Sequence, residues 1–182
     1  MDTKSYSVKA REKETFGSLK GEFGYTNALQ APRLTKVVIS TGTGKIKDAK
    51  KIEVIEDRIA LITGQKAAPR GAKKSIASFK VRQGDVVGYQ VTLRGSRMYD
   101  FLDKLINIAL PRTRDFRGLA ASAIDSLGNM TIGIKENTIF PECSDEDLRD
   151  VFGFSITLVT TAKSEKEAEA FFRHIGLPLR EA

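Results

Sequence analysis

An α+β fold is what this sequence predicts: about five mostly antiparallel strands, helices packed on one face of the sheet, and the other face and its loops left open. Three observations lead there. Stretches such as LTKVVIST (34–41) and GFSITLVTTA (153–162) are β-branched, and the second alternates apolar Phe154, Ile156 and Leu158 with Ser155, Thr157 and Val159, the period of a half-buried strand. Other stretches repeat apolar residues three and four apart, the period of a helix with one inward face. The two kinds are interspersed without the regular crossovers of a doubly wound sheet.

The elements follow in order. In residues 3–23, Phe16, Leu19 and Phe23 stand at i, i+3 and i+7, which predicts a docked amphipathic helix with a frayed start; the sequence leaves open whether the first fifteen residues are ordered. Pro32 blocks its continuation, and residues 34–41 make the first strand, with Leu34, Val37, Val38 and Ile39 available for burial. A second helix over roughly 48–63 places Ile52, Ile55, Ile59 and Ile62 on one face and stops at Gly64, the position where a left-handed residue closes a helix. Residues 66–85 hold Pro69, Gly71 and Gly84 and little periodicity, and read as a short strand followed by a long, mobile, basic loop. VVGYQVTLRG (86–95) is a strand ending in a turn. A helix from Ser96 buries Met98, Phe101, Leu102, Leu105 and Ile108 and ends before Pro111. NMTIGIKE (129–136) and the 153–162 segment are two more strands. SEKE (164–167) is a capping box, the Ser164 hydroxyl and Glu167 carboxylate satisfying each other's backbone N–H groups, and it opens a helix with Ala168, Phe171, Phe172 and Ile175 inward. With 182 residues, 41% of them hydrophobic, the chain suits a single α+β domain over 1–182.

Charge is unevenly shared. From Arg58 to Gly84 the chain carries seven cations (Arg58, Lys66, Arg70, Lys73, Lys74, Lys80, Arg82) and no carboxylate. Such a run repels itself unless a polyanion lies against it, which points to nucleic acid. Residues 33–117 carry a net +11 and residues 118–182 a net −5, so a basic and an acidic surface are expected, suited to bridging two unlike partners. PRTRDFRG (111–118) adds three arginines around an aromatic.

Catalytic chemistry is missing. STGTGKI (40–46) holds the Gly-Lys pair of a phosphate loop, but Ile39 and Ile46 occupy the positions that need glycine and a hydroxyl. His174 has no acid partner nearby in sequence and reads as structural or surface, and Cys143 sits in an acidic stretch that disfavours a thiolate. No cofactor, metal or catalytic residue is expected, and one cysteine with one histidine cannot make a structural zinc site. No apolar run approaches the roughly 20 residues of a membrane span, and the N-terminus lacks a signal-peptide core, so the expected partners include no membrane and the expected location is the cytoplasm.

Several long blocks then become specific: GEFGYTNALQAPRLTKVVISTGTG, ITGQKAAPRGAKKSIASFKVRQGDVVGYQVTLRG, LPRTRDFRGLA, GIKENTIFPE and SITLVTTAKSEKEAEAFFRHIGLPLR, in that order. From about residue 16 to the C-terminus the chain resembles the bacterial-type family of the fifth large-subunit ribosomal protein, which binds 5S RNA. The resemblance implies a non-catalytic protein of the ribosome's central protuberance that holds 5S rRNA among the large-subunit rRNA. It further implies contacts to the elbow of the peptidyl-site tRNA and to a basic small-subunit head protein. It puts the 5S rRNA face on Asn27, Gln30, Arg33, Ser40, Gln65, Thr92 and Arg94. The family usually has Asn where this chain has Ser40, whose side chain has one fewer donor. The tRNA contact falls on the loop Lys73 to Gln83, where Lys73, Lys74, Lys80 and Arg82 surround Phe79; that ring either stacks on a sugar or base or anchors the loop on the core. The acidic stretch with Glu142, Asp145, Glu146, Asp147 and Asp150 is expected to face the small-subunit protein. A free RNA chaperone or regulator is the rival reading, and sedimentation with washed large subunits separates the two.

Overall fold

The computed structural model describes residues 7–46, 48–114, 116–143 and 151–180. The elements are α1 (Val8–Phe23), β1 (Leu34–Gly42), α2 (Ala49–Thr63), β2 (Ala68–Gly71), β3 (Val86–Leu93), α3 (Ser96–Lys104), β4 (Met130–Ile134), β5 (Phe154–Thr160) and α4 (Glu165–His174). The expected α+β architecture is found: one open antiparallel sheet in the order β2-β3-β1-β5-β4, with four helices. The chain divides into two compact units, one made of Met1–Val37, Leu93–Ile132 and Thr157–Ala182, the other of Val38–Thr92 and Gly133–Ile156.

In the first unit α1 lies against α3 and α4. A helix start exposes N–H groups without partners, and here the answer comes from afar: Asp103 on α3 accepts from the Val8 N–H at 2.7 Å and the Ser7 hydroxyl at 3.2 Å. The inward residues of α1 are Val8, Thr15 and Leu19. Phe16 and Phe23, expected on that face, are only half-buried; Lys20 lies over the Phe16 ring and Phe23 stacks on Tyr25. His174 is structural, its Nε2 donating to the Arg11 carbonyl at 2.7 Å while Arg11 Nη1 donates to the Ile175 carbonyl at 3.2 Å.

Two local expectations need correction. The capping box of α4 is half formed: the Ser164 hydroxyl accepts from the Glu167 N–H at 3.3 Å, but the Glu167 carboxylate accepts from the Lys163 N–H at 2.6 Å and from the Tyr25 hydroxyl, not from Ser164. A buried carboxylate takes the donors its tertiary surroundings offer. The helix after Ser96 buries Met98, Phe101, Leu102 and Leu105 as expected, yet Ile108 is 44% exposed. Leu105–Ala109 form a π turn, with the Leu110 N–H reaching back five residues to the Leu105 carbonyl at 2.9 Å. The extra residue in that turn rotates the following side chains, so Ile106, Ala109 and Leu110 go inward instead. Ala168, Phe171, Phe172 and Ile175 are fully buried.

In the second unit the Asp48 carboxylate caps α2 by accepting from the Lys50 N–H at 3.0 Å, and Gly64 closes it at φ 67°. Ile55, Ile59 and Ile62 are buried and Ile52 half-buried. Phe140 and Phe152 each pack against Phe154, with ring centroids 5.9 and 6.1 Å apart. Cys143 is buried beside them in sequence and 1% exposed, which keeps it from reagents.

Strands β1 and β3 meet closely at Gly88: a Cβ built there would lie 2.5 Å from the Thr41 carbonyl oxygen. Backbone cannot yield there as a flexible side chain would. Gly88→Ala is expected to cost about 1–3 kcal/mol, the usual penalty of overpacking, read as a lower urea midpoint with an unchanged slope.

A second expectation concerns pH. Tyr99 on α3 donates to Glu12 on α1, and burial followed by that bond pushes its hydroxyl up to about 12; Tyr25, buried beside Glu167, is raised as well. Both hold their protons more tightly folded than unfolded. Their contribution is complete below the unfolded phenol value of about 10 and is lost as pH rises toward the folded one. Between about pH 10 and 12 the denaturation midpoint of the wild type should therefore fall more steeply than that of Tyr99→Phe. Equal slopes in a pH series would show that the phenol does not contribute.

Candidate nucleic-acid interface

The side of the strands turned away from the core carries hydroxyls and amides together with Lys36, Val38, Arg70, Val86 and Val159. Along β5, Phe154, Ile156, Leu158 and Thr160 are buried and Ser155, Thr157 and Val159 are not. In the second unit Ser40, between buried Ile39 and Thr41, shares a hydroxyl–hydroxyl bond of 2.8 Å with Ser155. In the first, Thr131 and Thr157 do the same at 3.0 Å. Paired hydroxyls keep lone pairs for an outside donor while satisfying each other.

The residues expected to contact 5S rRNA fall as follows. In the first unit Asn27 and Gln30 build one another's turn: Asn27 Oδ1 accepts from the Leu29 N–H at 2.9 Å, and Gln30 Oε1 accepts from the Thr26 N–H at 2.9 Å. The amide oxygens are thus used inside the turn, and the two exposed side chains offer their NH2 groups outward as donors, the polarity a phosphate needs. Arg33 has its backbone fixed on both sides by Thr161, its N–H donating to the hydroxyl at 3.0 Å and its carbonyl accepting from the N–H at 3.0 Å, with the side chain exposed. Arg94 is exposed just after β3.

In the second unit Gln65 and Thr92, 27 residues apart, are brought together: Gln65 Nε2 donates to the Thr92 carbonyl at 3.5 Å. Gln65 is therefore held against the end of β3 and is more than the residue after a helix stop. Register adds two residues that the sequence reading left out. Ala68 pairs with Gln90 and Arg70 with Gly88, so Gln90 and exposed Arg70 lie on the Thr92 side of the pair. The signal was available as parity, two and four residues back from Thr92, but only once the β2–β3 register is known.

The basic loop is a hydrogen-bonded extension of the β2–β3 pair. Ala72 and Gly84 close its base through the Gly84 N–H to the Ala72 carbonyl at 3.0 Å, and Ile76 and Val81 bridge it higher up, the Ile76 N–H meeting the Val81 carbonyl at 2.9 Å. A short turn over Ala77–Phe79 ends at Lys80, the one non-glycine with positive φ, 54°, among the described residues. The Asp85 carboxylate accepts from the Arg82 N–H at 2.8 Å and so is tied to the backbone. Lys73, Lys74, Lys80 and Arg82 are all exposed, and among the described residues none is paired with a carboxylate. Phe79 is 70% exposed, so it does not anchor the loop in the core.

Residues 27–82 match the family described as ribosomal protein L5, and residues 86–179 match the model of that ribosomal family's C-terminus. The chain belongs to the ribosomal protein L5 family. Large ribosomal subunit protein uL5 of Flavobacterium johnsoniae is 46% identical over 180 residues, covering 97% of this chain and 98% of the relative. That of Anaeromyxobacter sp. (strain Fw109-5) is 46% identical over 171 residues, covering 93% and 95%. That of Desulfatibacillum aliphaticivorans is 50% identical over 163 residues, covering 89% and 91%. As a family member the protein is a structural constituent of the large ribosomal subunit and not an enzyme. The resemblance legible in the long sequence blocks is thereby borne out.

Of the acidic stretch, Glu142 is exposed in the turn Pro141–Cys143. Asp145, Glu146, Asp147 and Asp150 lie outside the described residues.

Proposed function

We propose that this L5-family protein binds 5S rRNA and anchors it in the central protuberance, contacts peptidyl-site tRNA through the loop Lys73 to Gln83, and meets a basic small-subunit head protein through its acidic stretch. The observation that carries the reading is the division of labour between the two surfaces. Asn27, Gln30, Ser40, Gln65 and Thr92 offer neutral donors and hydroxyls in fixed positions, with Arg33 and Arg94 able to fork onto phosphate. The loop offers exposed charge and one exposed ring. Fixed neutral groups suit a permanent RNA of defined shape; exposed cations suit a polyanion that comes and goes.

The test separates the surfaces. Replacing Lys73, Lys74, Lys80 and Arg82 together with Ala should leave specific 5S binding intact and weaken peptidyl-site tRNA retention on assembled ribosomes. Filter binding of tRNA to those ribosomes should lose salt dependence, the log–log slope falling by very roughly 3 to 4 for four lost phosphate contacts. A folded variant that loses 5S binding instead would refute the assignment of the loop.

For the small-subunit contact, Asp145, Glu146 and Asp147 changed to Lys should slow subunit association, most at low salt, because exposed complementary charge acts on encounter rate. Light scattering across a salt series reads this. Association rates equal to wild type at every salt concentration would remove the bridge from the proposal.

A further inference from the structure

Beneath the basic loop lies a cavity of 1010 Å³, at the upper end of the roughly 300–1,000 Å³ of small-ligand sites. Its apolar wall is Ile76, Phe79, Val81 and Val87. Two of these side chains are large and open to water, Ile76 at 45% and Phe79 at 70% exposure. Around them stand Lys45, Lys73, Lys74 and Lys80, and among the described residues no carboxylate lines the space. The turn Gly42–Lys45, which fails as a phosphate loop, thus supplies one side of the cavity and the long loop the other.

An apolar wall with a wholly cationic rim fits a flat aromatic body carrying negative charge at one end. Simple backbone binding would need the lysines and not the apolar wall. A stacked duplex would present only its phosphates, its base faces being covered. We infer that this cavity holds one unstacked nucleotide of an RNA loop, its base against Phe79 and the neighbouring aliphatic side chains and its phosphates among the lysines. The inference rests on the reading that the loop meets RNA, and it adds a preference for an extruded base. Lysines are compact charges on flexible stems and accept phosphate from several directions, so the ring and the cavity shape carry the selection. The loop is built to keep that shape: the Ile76–Val81 bridge and the left-handed Lys80 fix the turn that presents Phe79.

Gly42 supplies a clean test. It lines the cavity, and a Cβ added there meets nothing within 4 Å. Gly42→Val therefore starts from a Cβ free of neighbours and adds bulk at the cavity wall without a change of charge, at the end of a strand where a β-branched residue is favoured. The full-length protein is titrated with two RNA hairpins of equal length, one with a single extruded 2-aminopurine, the other fully paired. The wild type should prefer the extruded hairpin and quench its fluorescence. Phe79→Ala and Gly42→Val should each weaken that hairpin roughly 5- to 150-fold, the range of one base–aromatic stack, and leave the paired hairpin within about twofold. Lys73→Ala with Lys74→Ala should weaken both hairpins alike.

If Phe79→Ala and Gly42→Val leave the ratio of the two affinities unchanged, the cavity is not a nucleotide site, while the loop remains an RNA contact. Unchanged binding of both hairpins by the lysine variant would overturn the loop reading itself. Free adenosine monophosphate binding as tightly as the extruded hairpin, and lost in Gly42→Val, would assign the cavity to a free nucleotide and overturn the RNA occupant.

Discussion

Side-chain alternation along β5 sets the terms for much of the molecule. Phe154, Ile156 and Leu158 are buried almost completely, each contributing about 1.5–3 kcal/mol through burial, and that obliges Ser155, Thr157 and Val159 to face the other way. A single-residue slip would put three large apolar groups in water and three smaller, partly polar ones in the core. The same rule governs β4, where Met130, Ile132 and Ile134 are buried and Thr131 and Gly133 exposed. The hydroxyl pairs Ser40–Ser155 and Thr131–Thr157 follow as the outward half of the pattern that builds the core.

Charge is sparse on the strands: Lys36 in β1 and Arg70 in β2 are the strand cations. Small hydroxyl residues can satisfy one another or exchange that neighbour for a water or another polar group. Ser40 illustrates the trade. It is shorter than the Asn usual in the family, and its hydroxyl is engaged by Ser155, so it reaches outward as part of a pair. Further cations stand where the backbone leaves the sheet, at Arg94 after β3 and at the four loop positions, all of them exposed to water.

The helices are tied at their ends by groups far away in sequence. Asp103 caps α1 from 95 residues away, and Glu167 reaches the Tyr25 hydroxyl across 142 residues. Glu12 accepts from the Leu34 N–H at 3.2 Å, and burial raises its pKa above the ordinary carboxylate value. Such ties cost desolvation and repay it only with complete hydrogen bonding. They hold the starts of α1 and α4, and the Tyr25 bond holds the chain entering the Asn27–Gln30 turn.

The sequence alone determined whatever depends on near neighbours. Periodicity located β1, β5, α2 and α4, glycine with a preceding isoleucine face ended α2 at Gly64, and charge counting singled out the carboxylate-free run from Arg58 to Gly84. Long sequence blocks identified the family. Tertiary structure decided what depends on residues distant in the chain. It turned Ile108 outward through a π turn that no spacing announces, moved the Glu167 carboxylate from Ser164 to Lys163 and Tyr25, and held Gln65 against Thr92. It also put Arg70 and Gln90 on the Thr92 side of the strand pair through the β2–β3 register, and joined the Gly42–Lys45 turn to the basic loop around one cavity. The physical reason is the same in each case: local patterns record which side of an element is apolar, whereas the partner that satisfies a buried or bridging polar group is chosen by folding.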